Sequence, residues 1–205
     1  MTIELARTFR ALDMWQSPAH IAAHLDRANG NFGLFSLVNV NGSNEMYHPD
    51  GVYEVGKLEK HNDGSRYVAE ILGDDGRVRK IGFSLTGLSG ALVSDDIGRG
   101  FKLENHPGRF QKVKLSGQYS YDSRDVLRNQ VGNLVLISPL DSHKYHRKYF
   151  PAVVEQAADD FYRARMITPD GKEDIGHFHY SNVGGILVLE KTLPPEILKR
   201  NVYYY

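Results

Sequence analysis

The residues best equipped for chemistry are histidines and aromatics in the second half of the chain. In the strand-like run His177-Phe178-His179, period-two alternation places both imidazoles on one face. With His143 and His146 they could complete an all-histidine site of the kind zinc accepts, a reading set against an ordinary solvated loop. The stretch "HKYHRKYF" interleaves Lys144, Arg147 and Lys148 with Tyr145, Tyr149 and Phe150. That mixture can hold phosphates by charge and bases by stacking, so nucleic acid is one candidate partner. His20 and His24 share a helix face four residues apart, but with no third ligand nearby they read as a solvated pair. The chain has no cysteine, which excludes disulfides, thiolate zinc centres and a cysteine nucleophile.

Composition narrows the setting for these groups. With 205 residues, 41% hydrophobic and 24% charged, the chain has an ordinary folded composition and enough length to bury a core. Lysine plus arginine (25) equals aspartate plus glutamate (25), so no global field draws it to nucleic acid or an anionic membrane. No apolar run approaches the roughly 18 residues of a membrane span, and the first residues lack the pattern of a signal peptide. The expectation is a soluble intracellular protein, cytoplasmic or nuclear, with no membrane partner and no cofactor.

Residues 2–15 space Ile3, Leu5, Phe9, Leu12 and Trp15 in a mostly helical pattern. A second helix is marked by Ser17 as N-cap, Pro18 at the first helical position, Ile21, Leu25 and Ala28 on one face, and Gly30 at the end. From Phe32 onward short strands alternate with Asn-Gly and Asp-Gly turns, the grammar of an antiparallel meander. A less regular stretch holds a short helix starting at Ser123 and the apolar strand "NLVLISPL"; after Pro151 the meander returns.

The two meanders are related. Shifting the sequence by 95 positions pairs Tyr67 with Tyr162, Ala69 with Ala164, Asp75 with Asp170, Gly76 with Gly171 and Phe83 with Phe178. Gly90, Leu92 and Val93 then meet Gly185, Leu187 and Val188, eight identities where unrelated segments of this length give roughly two. A repeated unit this small closes its strand edges best by curling into a barrel. The predicted architecture is mainly β: a helical N-terminal segment (1–31), a first barrel (32–105), a connecting segment (106–144) and a second barrel (145–205).

The second copy resembles a Tudor domain, a family of SH3-like barrels. Phe161-Tyr162-Arg163-Ala164 after an acidic turn, Tyr180 and Asn182, and Leu193-Pro194-Pro195 carry the resemblance. His179 and Ser181 stand where the family has an acidic residue and glycine. The first copy keeps Tyr67 and Ala69 but has Arg66 in place of the leading aromatic and "SLTG" in place of the Tyr and Asn. What the resemblance implies is a non-enzymatic module that binds a protein or peptide ligand, including one bearing methylated Lys or Arg, in an aromatic cage. Its walls would be Phe161, His177 and Tyr180, with Tyr149 adding another, Asn182 hydrogen-bonding, and Asp159 or Asp160 supplying charge. Alternatives stay open: a structural or assembly protein such as a component of a viral particle, a nucleic-acid-binding barrel, or a histidine-site metal enzyme. Two segments, "ISPLDSHKYHRKYFP" and "GKEDIGHFHYSNVGG", are also similar to parts of phosphatidylserine decarboxylase. That family makes its pyruvoyl group at Gly-Ser, whereas here Tyr180 precedes Ser181 and too few residues separate the segments, so it is set aside.

Overall fold

A computed structural model describes residues 3–5, 8–13, 16–37, 51–61, 66–73, 77–94, 101–103, 108–113, 123–139, 148–167 and 172–193. The chain is mainly β and divides into two compact units, residues 1–108 and 109–205. Among the described residues no helix is long and apolar enough to cross a membrane.

The first unit runs β1 (Ile3–Leu5), β2 (Phe9–Asp13), α1 (Pro18–Arg27), β3 (Phe32–Leu37), β4 (Val52–Lys60), β5 (Tyr67–Leu72) and β6 (Val78–Phe83). A 3-10 turn at Leu85–Gly87 leads into β7 (Leu88–Val93), and β8 (Phe101–Leu103) pairs with β1. The other strands form one antiparallel sheet in the order β2-β7-β3-β4-β5-β6.

The second unit runs β9 (Phe110–Val113), α2 (Ser123–Arg128), β10 (Leu134–Pro139), β11 (Lys148–Ala157), β12 (Phe161–Ile167) and β13 (Glu173–His179). A 3-10 turn at Tyr180–Asn182 leads into β14 (Val183–Leu189), followed by a short 3-10 turn at Glu190–Thr192. Its strand order is β9-β14-β10-β11-β12-β13, again all antiparallel. The order of elements from β2 to β7 is therefore repeated from β9 to β14. β9, α2 and β10, from the stretch expected to connect two barrels, belong to this second sheet and its helix.

Two of the sequence expectations for the N-terminal segment separate here. The helix at 17–28 forms: Ser17 Oγ accepts the His20 N–H at 3.3 Å, Pro18 opens the first turn, and Ile21 and Leu25 are buried. The helix expected over 2–15 does not; Phe9–Asp13 is instead β2, paired with β7 from Arg10↔Val93 to Asp13↔Gly90. Phe9 and Leu12 meet the spacing of a helix, but the ladder with β7 also gives the backbone hydrogen-bond partners while both side chains are buried.

Each helix is tied through the turn at its end to the long strand β4 or β11. Gly30, at φ +83°, donates its N–H to Leu58 O (2.8 Å), and the Leu58 N–H returns to Asn31 O (2.9 Å). The second unit repeats this with Gly132 at φ +82°, Val154 and Asn133, at 2.7 and 3.3 Å. Only glycine takes this left-handed turn without steric cost. One face of each sheet is packed, around Leu25, Phe35, Leu58, Ile71 and Phe83 in the first unit and around Leu127, Val135, Val154, Tyr162 and Ile186 in the second.

On the other face of each sheet one tyrosine crosses a serine to lie against a glycine. The Tyr53 hydroxyl sits 2.6 Å from where a Cβ on Gly90 would stand, and the Tyr149 hydroxyl 2.7 Å from that of Gly185. Ser36 and Ser138 pair with those glycines across the ladder. A methyl at either glycine would have to displace a buried phenol, so Gly185→Ala is expected to cost about 1–3 kcal/mol, read as a lower urea midpoint at unchanged slope.

Polar contacts also hold α1 to its sheet. Asp26 Oδ2 pairs with Lys60 Nζ at 2.8 Å, and the Tyr67 hydroxyl donates to Asp26 Oδ1 at 2.9 Å. The Lys60 hydrogen bond holds the Asp26 carboxyl below its usual range, while burial and then the Asp26 carboxylate push the Tyr67 phenol up to about 12. A raised folded-state value means stability is complete below the ordinary tyrosine range near 10 and falls as pH rises towards 12. Tyr67→Phe should therefore lose less stability between pH 9 and 11 than the parent, compared by urea denaturation at the two pH values.

Candidate functional site

The residues singled out by sequence lie around the β12–β13 hairpin, and its register decides which of them meet. Phe161 pairs with His179, Tyr162 with Phe178, Arg163 with His177 and Ala164 with Gly176. Alternation then sends Phe161, Arg163, His177 and His179 to the outer face and Tyr162, Ala164 and Phe178 to the core.

Phe161 and His177 come together on that outer face. Their ring centroids are 5.5 Å apart with planes tilted 42°, and Phe161 is 36% exposed, high for a phenylalanine. Asn182 and Asp160 are exposed nearby in sequence, in the 3-10 turn after β13 and the turn before β12. In the first unit the positions equivalent to Phe161 and His177 are Arg66 and Gly82, so the ring pair has no counterpart there.

Tyr180 is not part of this surface. It is buried, its ring lies 5.7 Å from that of Tyr162, and its hydroxyl donates to Ala158 O at 2.8 Å. Arg124 of α2 stands over the ring at 5.8 Å from the centroid, and Ser123 Oγ donates to the Tyr180 carbonyl. The ring face that could take a ligand cation thus already faces a cation of the protein itself. Burial and the neighbouring Tyr180 hydroxyl push the Tyr162 phenol well up. Tyr149 is likewise structural: it is the tyrosine laid over Gly185, and burial raises its phenol to about 12.

Asp159 is held by Arg128 at 2.6 Å, a helix-to-turn ion pair. This is the reverse in sign of the Asp26–Lys60 pair of the first unit: the helix carries the acid there and the base here.

The histidines also separate. His179 caps the 3-10 turn, its Nδ1 accepting from Ser181 N–H at 3.2 Å and lying 2.6 Å from Ser181 Oγ. The first unit makes the corresponding contact between Ser84 and Thr86 at 2.8 Å. His177 faces Phe161, while His143 and His146 lie outside the described residues, as do Lys144 and Arg147. Lys148 opens β11 and is half-buried. The His20–His24 pair packs edge to face at 4.6 Å with His24 buried, so it is not the solvated pair its spacing implies. Among the described residues no three His, Asp or Glu side chains gather as metal ligands.

One feature of the outer face was not anticipated from sequence. Glu155 is the extra residue of a bulge in β11, between Val154↔Ala164 and Gln156↔Arg163. Its carboxylate pairs with Arg163 at 3.1 Å and Arg165 at 3.5 Å, and Arg165 reaches Glu173 at 3.4 Å. A charged ladder therefore runs across the strands beside the Phe161–His177 rings. The only warning in the sequence is an acidic residue breaking the alternation of "AVVEQ".

No protein-family model, curated protein or solved structure matches the chain.

The two aromatic environments should respond differently to truncation. Tyr180→Ala removes a buried ring and its hydrogen bond, with an expected loss of about 3 kcal/mol, whereas Phe161→Ala should stay within about 1 kcal/mol in the same thermal or urea unfolding experiment.

Proposed function

We propose that the protein is a non-enzymatic binding module built from two SH3-like, Tudor-like units, and that the second unit carries the site. The strand order of each unit, five consecutive strands with a 3-10 turn before the last, supports the SH3-like reading. The observation that carries the function is the exposed Phe161–His177 pair, two tilted rings on an otherwise charged face, present in one copy and absent from the other.

The chemistry this surface fits is a protein segment bearing a methylated lysine or arginine. Methylation removes N–H donors and adds apolar surface while the charge remains, so the cation gains from ring faces and loses little by leaving water. Phe161 and His177 would supply two walls, Asp160 the balancing charge, and Asn182 a hydrogen bond to the ligand backbone. Tyr180 and Tyr149 have no part in it, because their rings are committed to packing. An open two-walled site implies a weak complex whose specificity is completed by the surrounding ion pairs.

Titration of isotope-labelled protein with trimethyllysine and dimethylarginine peptides tests this. Shifts should concentrate at Phe161, His177 and Asn182, and Phe161→Ala should weaken binding about tenfold while the fold is retained. If shifts are absent, or map to other surfaces, the site assignment is wrong. An assembly role is the second reading, favoured by the two open strand edges described next.

A further inference from the structure

We propose that copies of this chain associate head to tail, the edge strand β6 of one copy pairing antiparallel with the edge strand β13 of the next. The inference is independent of the methyl-cation reading, since it uses strand edges and not the Phe161–His177 rings.

β6 and β13 are the terminal strands of their sheets, and among the described residues nothing pairs with their outer edges. Open edges are templates for further pairing, and soluble proteins usually blunt them with charges of one kind or with bulges. Here the two edges carry opposite charge. Within its bounds β6 holds Arg79 and Lys80 and no acidic residue, while β13 holds Glu173 and Asp174 and no lysine or arginine. Each edge repels its own kind and attracts the other, which disfavours symmetric β6–β6 or β13–β13 pairs.

The apolar surface points the same way. Val78 on β6 is 53% exposed and Ile175 on β13 is 48% exposed, two of the four exposed large hydrophobic residues among those described. An antiparallel register that sets Val78 opposite Ile175 also sets Arg79 opposite Asp174 and Lys80 opposite Glu173. The faces agree, as they must for directly opposed residues. Val78 and Lys80 share the outer face of the first unit with Glu70, as Glu173 and Ile175 share the outer face of the second with Arg165. Arg79 and Asp174 both point to the core side, where Arg79 already pairs with Glu54 at 3.1 Å. One register thus matches size, charge and face at three consecutive positions.

The charged rows inside each unit end at these edges with complementary signs. In the first, Lys57, Glu70 and Lys80 lie opposite one another across β4, β5 and β6, with Lys80 at the edge. Glu70 is held below the usual carboxylate range chiefly by its hydrogen bond to Lys80. In the second, Glu155, Arg165 and Glu173 are linked by ion pairs, with Glu173 at the edge. Joining β6 to β13 continues the alternation of sign from one copy into the next. Because the two surfaces differ, the contact is heterologous, and it builds a closed ring or an open chain of copies according to the rotation it imposes.

Light scattering and sedimentation of the full chain over a concentration series provide the test. The mass should rise above the 23.1 kDa of a single chain with concentration and fall back with added salt. Two variants alter only exposed outer-face residues: Val78→Glu with Lys80→Glu, and Glu173→Lys with Ile175→Lys. Each alone should remain monomeric with an unchanged circular dichroism spectrum, and an equimolar mixture of the two should recover the assembled mass. A parent chain that stays monomeric throughout overturns the proposal, as do variants that assemble like the parent. Folded monomeric variants whose mixture fails to assemble rule out this register and this pair of edges. If a variant unfolds, Lys80→Ala and Ile175→Ser each carry the same test and should lower the assembled fraction without changing the melt.

Discussion

Everything in each unit is referred to the point where the helix hands the chain back to the sheet. A glycine at positive φ lets the backbone reverse within two residues and exchange hydrogen bonds with the long central strand, at Gly30 and Leu58 and again at Gly132 and Val154. That exchange fixes where the helix lies and therefore which face of the long strand packs beneath it, the face of Leu58 and Val154. β4 and β11 then carry the ladders on both sides, so the register of the hairpins beyond them follows. A side chain at either glycine would force the turn into a strained region of backbone space and loosen the helix from the sheet.

On this common frame the two units have diverged at the same few places. The ion pair made by the helix has reversed its sign, from Asp26 with Lys60 of β4 to Arg128 with Asp159 of the turn after β11. The side-chain contact at the start of the 3-10 turn has changed from Ser84 with Thr86 to His179 with Ser181. The position held by Leu85 has become Tyr180, whose larger ring fills space beside Tyr162 and brings Arg124 over it. Each substitution keeps the geometry and alters the chemistry. The β5–β6 and β12–β13 hairpins show the largest contrast: the edge strand of one is basic, while the other has an acidic edge strand and carries an aromatic pair.

The repeat was legible in sequence only over 67–93 and 162–188, yet it spans nearly all of both units. Between equivalent residues the offset is 102 at Gly30 and Gly132, 96 at Tyr53 and Tyr149, and 95 at Gly90 and Gly185. The connection from β3 to β4 is six residues longer than that from β10 to β11, and the turn between Lys60 and Tyr67 is two residues longer than that between Ala157 and Tyr162, which outweighs the one residue added by the bulge at Glu155. A search at one constant offset therefore sees the C-terminal half of each unit and loses the rest. Phe9 and Phe110, both fully buried in equivalent strands, show that the match continues to the first strand of the sheet. The same loss of register hides the kinship of Phe9–Asp13 with the strand Phe110–Val113 and leaves apolar spacing as the only local signal over 2–15.

Sequence by itself determined the local elements whose signals lie within a few residues: the capped helix at Ser17, the short helix at Ser123, the hairpin strands, and the kinship of the two meanders. It also determined the alternation that divides His177 and His179 from Phe178. Tertiary structure alone decided which aromatics stay exposed. Phe161 and Tyr180 are both ring-bearing residues of one hairpin region, and nothing local distinguishes them. Cross-strand pairing puts Phe161 outside beside His177, while α2, a distant segment, brings Ser123 and Arg124 to close over Tyr180. Exposure depends on what other parts of the chain pack against a residue, and spacing along the chain does not encode that.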